Sequence, residues 1–378
     1  MAEGLPESQK KGLHRAVAIV YCELLYGAGH WMRSMQVAVA LAERFDVRFF
    51  LLGEPTADLR TGSGIQLVRL EPGRDLARWL VQSLEELRPA VIVLEYFPFG
   101  RHFSAFHLVP FLSAARRMEC PPLLLTSLRD VLDHNAEDQK RINRRIAATA
   151  NQLMHGILLH SDPGWVRLED SFPEAALLTI PVLYTGYVAP PLAGFRSAGR
   201  EAVILVSAGG GRECAPYFLA ILRAYLQSGL RQNFRLRMVA GTLLEPEGWR
   251  QIEAAVCAHE GVEWLRWVPD LAAEMSGAAV SVSRCGYNTA LDVLRTATPA
   301  VIIPSVQLGE NEQSWRAARL AERGLWQVLE ERAVDSSSFE TAIRAVLAAP
   351  PPAVSIDCDG ARGSVRIIEQ LLEGFRDR

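Results

Sequence analysis

The sequence predicts an α/β protein of two doubly wound parallel-sheet domains facing a cleft. Short continuous apolar runs alternate with amphipathic helical stretches along nearly the whole chain, the pattern of parallel strands covered on both faces. The alternation restarts after a Gly-, Pro- and Ala-rich segment from Tyr184 to Ala202, which reads as a domain linker. At 378 residues the chain is long for one core and comfortable for two.

Residues 1–14 read as a polar, loosely ordered arm. Ala16–Val20 is a first strand, and Met32–Arg44 carries helix-period apolar residues at Met35, Val39 and Ala42. Strands follow at Val47–Leu52 and Ile65–Val68, then a helix over Leu76–Leu87 that Pro89 ends. Ala90–Leu94, Leu123–Leu125 and Gly156–Leu159 are further strands, separated by helical stretches at Phe106–Arg117 and Glu137–Ala148. After the linker come strands at Ala202–Val206, Leu236–Val239, Val262–Leu265, Ala278–Val282 and Ala300–Ile303. A last helix spans about Ala361–Phe375. The expected organisation is a first domain over 15–188, a linker over 189–200, a second domain over 201–358 and a helix over 359–378 that crosses back to the first.

Composition narrows the class. Apolar residues make up 49% and charged residues 22%, ordinary for a globular enzyme. A net charge of -3 and a pI near 6.3 argue against broad nucleic-acid binding. The six cysteines form no CxxC pair and stand at no metal-site spacing from histidine, so a reduced cytoplasm is the expected setting and no metal is required. The basic start before Ala16 lacks a cleavage site, and no run approaches the ~18 apolar residues of a membrane span.

The stretch Ser283-Arg284-Cys285-Gly286-Tyr287-Asn288-Thr289 reads as a strand end, a glycine turn and a helix start, with Asn288 or Thr289 as the cap. Such an end offers unpaired N–H groups and partial positive charge to a phosphate. Asp292, four residues after Asn288, shares its helix face and can accept from the vicinal hydroxyls of a ribose. An ordinary capped turn is the plain alternative. Ser207-Ala208-Gly209-Gly210-Gly211 ends the first strand of the second domain, and three successive glycines there suit backbone amides around a diphosphate better than packing.

In the first domain, Gly27-Ala28-Gly29-His30 follows the first strand, with Arg33 one turn on; His30 is a base for an acceptor hydroxyl or a cap of its own helix. Glu95, Arg129 and Asp130 close apolar strands at the cleft mouth and are reserve catalytic or acceptor-binding groups, unless Arg129 and Asp130 merely pair with each other. Glu312 and Gln313 follow the loop at Gly309-Glu310-Asn311 and can bind sugar hydroxyls, or simply start a helix. The basic run Lys140-Arg141 with Arg144-Arg145 is a solvated face, or steers an anionic acceptor or membrane surface. Asp357-Cys358-Asp359 matches a metal-holding D-x-D formally, but Asp359 suits a helix cap better.

These motifs resemble glycosyltransferase family 28, which includes the N-acetylglucosaminyltransferase of peptidoglycan lipid II synthesis. The triple glycine, the Ser283–Thr289 stretch and Glu312-Gln313 resemble its C-terminal domain, and Gly27–His30 its acceptor-side glycine loop. Leu94–Gly100, Ser127–Asp130, His160–Pro163 and Tyr184–Tyr187 are similar to an allied bacterial group of glycosyltransferases. The resemblance implies a GT-B fold of two Rossmann-like domains. It implies transfer of a hexosyl group from a nucleotide diphosphate sugar, UDP-linked, to an acceptor hydroxyl, inverting and without a metal or other cofactor.

By motif position Asp292 grips the ribose, Gly209–Gly211, Arg284, Gly286, Asn288 and Thr289 hold the diphosphate, and Glu312 and Gln313 meet the donor sugar. Glu312 departs from the family's paired glutamines, and a carboxylate in place of an amide implies a different sugar. The expected acceptor is a small molecule, lipid-linked or polymer-linked, handled in the cytoplasm or peripherally at the inner membrane face. A nucleotide-sugar epimerase or hydrolase, and a non-catalytic sugar-nucleotide-binding subunit, are the rival readings.

Overall fold

The computed structural model describes residues 15–24, 29–53, 64–73, 75–100, 102–132, 138–192, 199–305, 311–350 and 355–376. Among the described residues, thirteen strands form two fully parallel sheets. The first holds β1 (Val17–Glu23), β2 (Asp46–Leu52), β3 (Ile65–Leu70), β4 (Val91–Glu95), β5 (Leu123–Arg129), β6 (Gly156–His160) and β7 (Val182–Tyr184), in the order β3-β2-β1-β4-β5-β6-β7. The second holds β8 (Glu201–Ser207), β9 (Arg235–Val239), β10 (Val262–Leu265), β11 (Ala278–Ser283), β12 (Ala300–Ile302) and β13 (Gln327–Val328), in the order β10-β9-β8-β11-β12-β13.

The helices are α1 (Gly29–Leu41), α2 (Leu76–Leu87), α3 (Ala105–Ala115), α4 (Gln139–Leu153), α5 (Leu168–Ser171), α6 (Ala215–Gln227), α7 (Pro246–Val256), α8 (Leu271–Gly277), α9 (Tyr287–Thr296), α10 (Glu312–Ala321), α11 (Ser336–Ala348) and α12 (Gly360–Arg376). Central strands bury both faces, which explains their apolar runs. On β1, Ala18, Val20 and Cys22 pack toward α1 and α12, while Ile19 and Tyr21 pack toward α2 and α3. The second sheet is likewise sandwiched between two clusters, one around Phe218, Ile252 and Phe339, the other around Val293, Leu320 and Trp326.

The final helix returns to the first sheet: Val365, Ile368 and Leu372 of α12 share a core with Trp31, Met35 and Leu41 of α1. On the way back the chain runs beside the segment leaving β7. Tyr187 N–H donates to Asp357 O at 2.7 Å, Gly360 N–H donates to Tyr187 O at 3.0 Å, and Val188 and Asp359 form an antiparallel bridge. Asp359 precedes α12 and its carboxylate pairs with Arg366 at 2.9 Å.

Two sequence expectations change in ways that matter for function. The first helix begins at Gly29 rather than Met32, so Gly29 and His30 lie in its first turn. Neither Asn288 nor Thr289 caps α9; Gly286 occupies the cap position without any side-chain cap, and both residues lie inside the first turn. Residues 1–14, the middle of the linker at 193–198, and Gly309-Glu310 lie outside the described residues. Among the described residues no helix is long and apolar enough to cross a membrane, and no group of three or more His, Cys, Asp or Glu side chains is placed to hold a metal ion.

Candidate functional site

Each sheet reverses its direction of growth at one pair of strands, β1/β4 in the first and β8/β11 in the second. In open parallel sheets ligands bind beyond the carboxyl ends of such strands. The candidate loops issue from these positions or the next strand. Gly29 and His30 follow β1, Glu95 ends β4, and Arg129 ends β5 with Asp130 next. Gly209–Gly211 follow β8, while Arg284–Gly286 and α9 follow β11. Gly27 lies outside the described residues.

The loops meet across the cleft. A Cβ placed on Gly29 would lie 3.6 Å from Asn288 Nδ2 of the other domain, while within the second domain one placed on Gly209 would lie 3.7 Å from Thr289 Oγ1. The N-termini of α1 and α9, one from each domain, therefore open beside each other with the triple-glycine loop alongside. Their unpaired N–H groups and partial positive charges favour an anion between them.

On the first-domain side, His30 Nδ1 lies 2.5 Å from Glu95 Oε1, and Arg33 Nη2 donates to the same oxygen at 2.6 Å. A neutral His30 that donates from Nδ1 keeps its lone pair on Nε2. Burial lowers the imidazole pKa below its ordinary value, Arg129 and Arg33 act in the same direction, and Glu95 opposes them. His30 also meets the Tyr96 ring edge-on at 5.7 Å, and Arg129 lies over the same ring at 5.2 Å. His30 is thus paired with Glu95 rather than capping its own helix.

Arg129 and Asp130 do not pair with each other; each reaches the other domain. Asp130 binds Arg316 of α10 through both oxygens, receiving Nε at 2.9 Å and Nη2 at 2.7 Å. Arg129 Nη1 lies 2.6 Å from Glu312 Oε2, and Glu312 Oε1 accepts from Arg316 at 2.5 Å. Arg316 Nη1 donates to Cys285 O at 2.7 Å. Arg316 is 1% exposed, Asp130 2% and Glu312 5%, so charges of alternating sign bridge the cleft out of water. Burial opposes ionisation of Glu312, and the two guanidinium groups overcome it, holding its carboxyl below the usual range. Asp130 is committed to Arg316, which leaves His30 as the base candidate at the cleft and Glu95 as its partner.

The other donor-side residues divide. Gln313 Oε1 accepts from Cys285 N at 3.0 Å and Ser305 N at 3.2 Å, stapling the loops after β11 and β12. Arg284 is buried over the Tyr217 ring at 4.1 Å, donates to Ile303 O at 3.1 Å and pairs with Glu331 at 2.8 Å, a placement that braces the strand ends. Asp292 lies on α9 beside Arg295, 3.6 Å away, and burial pushes its carboxyl up to about 6. Within the glycine loop, Gly209 and Gly210 are exposed, whereas Gly211 has a packing explanation after all. Its φ is +83°, and a Cβ there would lie 2.1 Å from Ala240 O.

Sequence reading missed Arg316 and Tyr287. Arg316 stands four residues after Glu312, a spacing that by itself signals only a surface ion pair. Tyr287 was read as part of the glycine turn, but its hydroxyl donates to His160 O at 3.1 Å and accepts from Val188 N at 2.9 Å, both outside the second sheet. His160, between Ser127 at 2.7 Å and Thr185 at 2.8 Å, is fully buried and pushed down to about 3 by burial, so it is a neutral structural group.

Comparison with known proteins agrees with this architecture. Residues 229–369 match the glycosyltransferase family 28 C-terminal domain. The UDP-N-acetylglucosamine--N-acetylmuramyl-(pentapeptide) pyrophosphoryl-undecaprenol N-acetylglucosamine transferase of Rhizobium johnstonii is 24% identical over 334 residues, covering 86% of this chain and 82% of the relative. The enzyme of the same name from Yersinia pseudotuberculosis is 28% identical over 171 residues, 45% of this chain and 47% of the relative. Among solved structures, the spinosyn forosaminyltransferase SpnP superposes with a TM-score of 0.62 at 14% identity, covering 95% of this chain and 100% of that one. MurG of Acinetobacter baumannii superposes with a TM-score of 0.56 at 16% identity, covering 94% and 99%. The chain is a family-28-like glycosyltransferase of the GT-B fold.

Proposed function

We propose that the chain moves a hexosyl group from a UDP-linked sugar to an acceptor hydroxyl, with inversion and without a metal. The observation that carries this reading is the His30–Glu95 pair at the start of α1, opposite the N-terminus of α9. His30 Nε2 takes the hydroxyl proton as the acceptor oxygen bonds to the anomeric carbon. The bond from that carbon to the diphosphate breaks, its electron pair stays on the phosphate oxygen, and UDP leaves. Glu95 stabilises the imidazolium that forms, as a carboxylate on Nδ1 does in hydrolytic triads.

The amides at Gly209, Gly210 and the first turn of α9 stabilise the charge that builds on the departing diphosphate. Asp292 accepts from the ribose hydroxyls. Closure of the two domains excludes water. The names of the sequence relatives support a lipid-linked acceptor. Both oxygens of Glu312 are taken by guanidinium groups, which favours a donor sugar other than N-acetylglucosamine. Peripheral contact with a membrane surface fits the same acceptor class.

The test is incubation with a panel of UDP-sugars, following UDP release with and without candidate acceptor hydroxyls. The reading expects acceptor-dependent release that His30→Ala lowers about 10²–10⁴-fold while UDP still binds. Release at the same rate from donor alone identifies a hydrolase instead. No UDP affinity, together with no effect of Asp292→Ala, overturns the reading.

A further inference from the structure

We propose that Tyr287 is a positioning residue that couples the donor-facing end of α9 to the proton-accepting histidine of the other domain. The inference rests on the reading of His30 as the base. Tyr287 is the first residue of α9; its neighbour Asn288 faces Gly29 across the cleft, and Thr289 faces Gly209 of its own domain. Its own side chain also reaches into the first domain and is 6% exposed. The hydroxyl ties the carbonyl at the end of β6 to the amide of the chain leaving β7. That fixes the phenol ring from both sides, so the ring is a rigid support rather than a loose contact.

What the ring supports is Arg33, whose guanidinium carbon lies 5.6 Å from its centroid. Arg33 is 3% exposed, and it donates to the Glu95 oxygen that also meets His30 Nδ1. One carboxylate oxygen therefore carries both groups, and the position of Arg33 decides how much of the Glu95 charge His30 experiences. A ligand that draws in the first turn of α9 moves Tyr287, and with it Arg33. The groups facing His30 are Arg33 on its own helix, Glu95 and Tyr96 at the end of β4, Arg129 at the end of β5 and Glu312 on α10. Of these, Arg33 lies over the Tyr287 ring.

The experiment follows the His30 ring by NMR in the full chain with labelled histidine, assigned with His30→Gln, using UDP as the ligand. Tyr287→Leu removes the face under Arg33 and leaves Glu95 less neutralised, so the His30 midpoint rises by about half a pH unit or more. Arg33→Lys, which loses the planar guanidinium, shifts it the same way. Tyr287→Phe keeps the face and loses both hydroxyl bonds, so its midpoint falls between those of the unmodified protein and Tyr287→Leu. UDP shifts the His30 midpoint of the unmodified protein and shifts it less in Tyr287→Leu, even where calorimetry shows UDP bound.

A folded Tyr287→Leu protein whose midpoint and UDP response match the unmodified chain overturns the proposal. Should the leucine variant fail to fold, Tyr287→Met, which keeps bulk without a π face, decides on the same criterion. Full turnover by His30→Ala would sink the base reading while leaving the NMR coupling intact, so the two failures are separable.

Discussion

Asp130→Asn is the sharpest perturbation of the interdomain junction. The carboxylate receives two bonds from Arg316, and neither group meets appreciable water. Removing one member of a buried pair typically costs about 3–5 kcal/mol, because the remaining charge is left uncompensated. Here Glu312 stays 2.5 Å from Arg316 and the carbonyl of Cys285 stays at 2.7 Å, so the lower end applies. About 3 kcal/mol is roughly a 150-fold change in an equilibrium constant. The cost falls on the closed arrangement rather than on either domain core, since Asp130 belongs to the first domain and Arg316 to the second. Cys120 and Cys257 are exposed, one in each domain, and suit a pair of distance reporters. Asp130→Asn should broaden the label distances and lower turnover, with thermal unfolding of the domains changed less. Combining it with Arg316→Met should add little beyond Arg316→Met alone, a coupling of about 2 kcal/mol or more. Unchanged distances in the single variant, or strictly additive effects, would refute the reasoning.

Asp292→Asn should weaken UDP binding and yet raise stability at pH 7. A carboxyl raised to about 6 binds more protons folded than unfolded between about pH 4 and 6, so the charged form costs stability above that window, roughly 1–3 kcal/mol. Melting curves at pH 5 and 7 should converge with those of the unmodified protein at the lower pH. Glu95→Gln removes the group that raises the His30 pKa, so the acid limb of the rate profile should move to lower pH while turnover falls. Gly211→Ala should destabilise the second domain by about 2–4 kcal/mol in denaturant melts, because its Cβ meets a backbone carbonyl and its φ is positive. Gly286→Ala is the contrast: φ is -63° and nothing lies within 4 Å, so stability should hold, and a drop in UDP affinity by calorimetry would report a phosphate close to that position.

The sheets were legible because the central strands are dominated by short apolar runs, and such runs have few other uses. Two edge strands were not: β7 has three residues and β13 two, too short to show any period. The loops at Gly29, Gly209 and Gly286 could be found because glycine at a strand end is rare without a reason. Their partners could not, because the pairing of Asp130 with Arg316 spans 186 residues and that of His30 with Glu95 spans 65. Local spacing carries no information about such contacts. Gly211 shows the opposite error, a glycine credited to a ligand when a neighbouring carbonyl already requires it.

The chain passes between the two halves twice, and the two passages are hydrogen-bonded side by side at Tyr187, Val188, Asp357 and Asp359. Two strings tied together restrict the halves to swinging about a short axis, much as a door hung on adjacent pins cannot slide or twist. Partners on the opposite lips of the cleft then never have to find each other by diffusion, and their effective concentration is set by the swing alone. A few charge pairs far weaker than an ordinary protein–protein interface suffice to choose between open and shut.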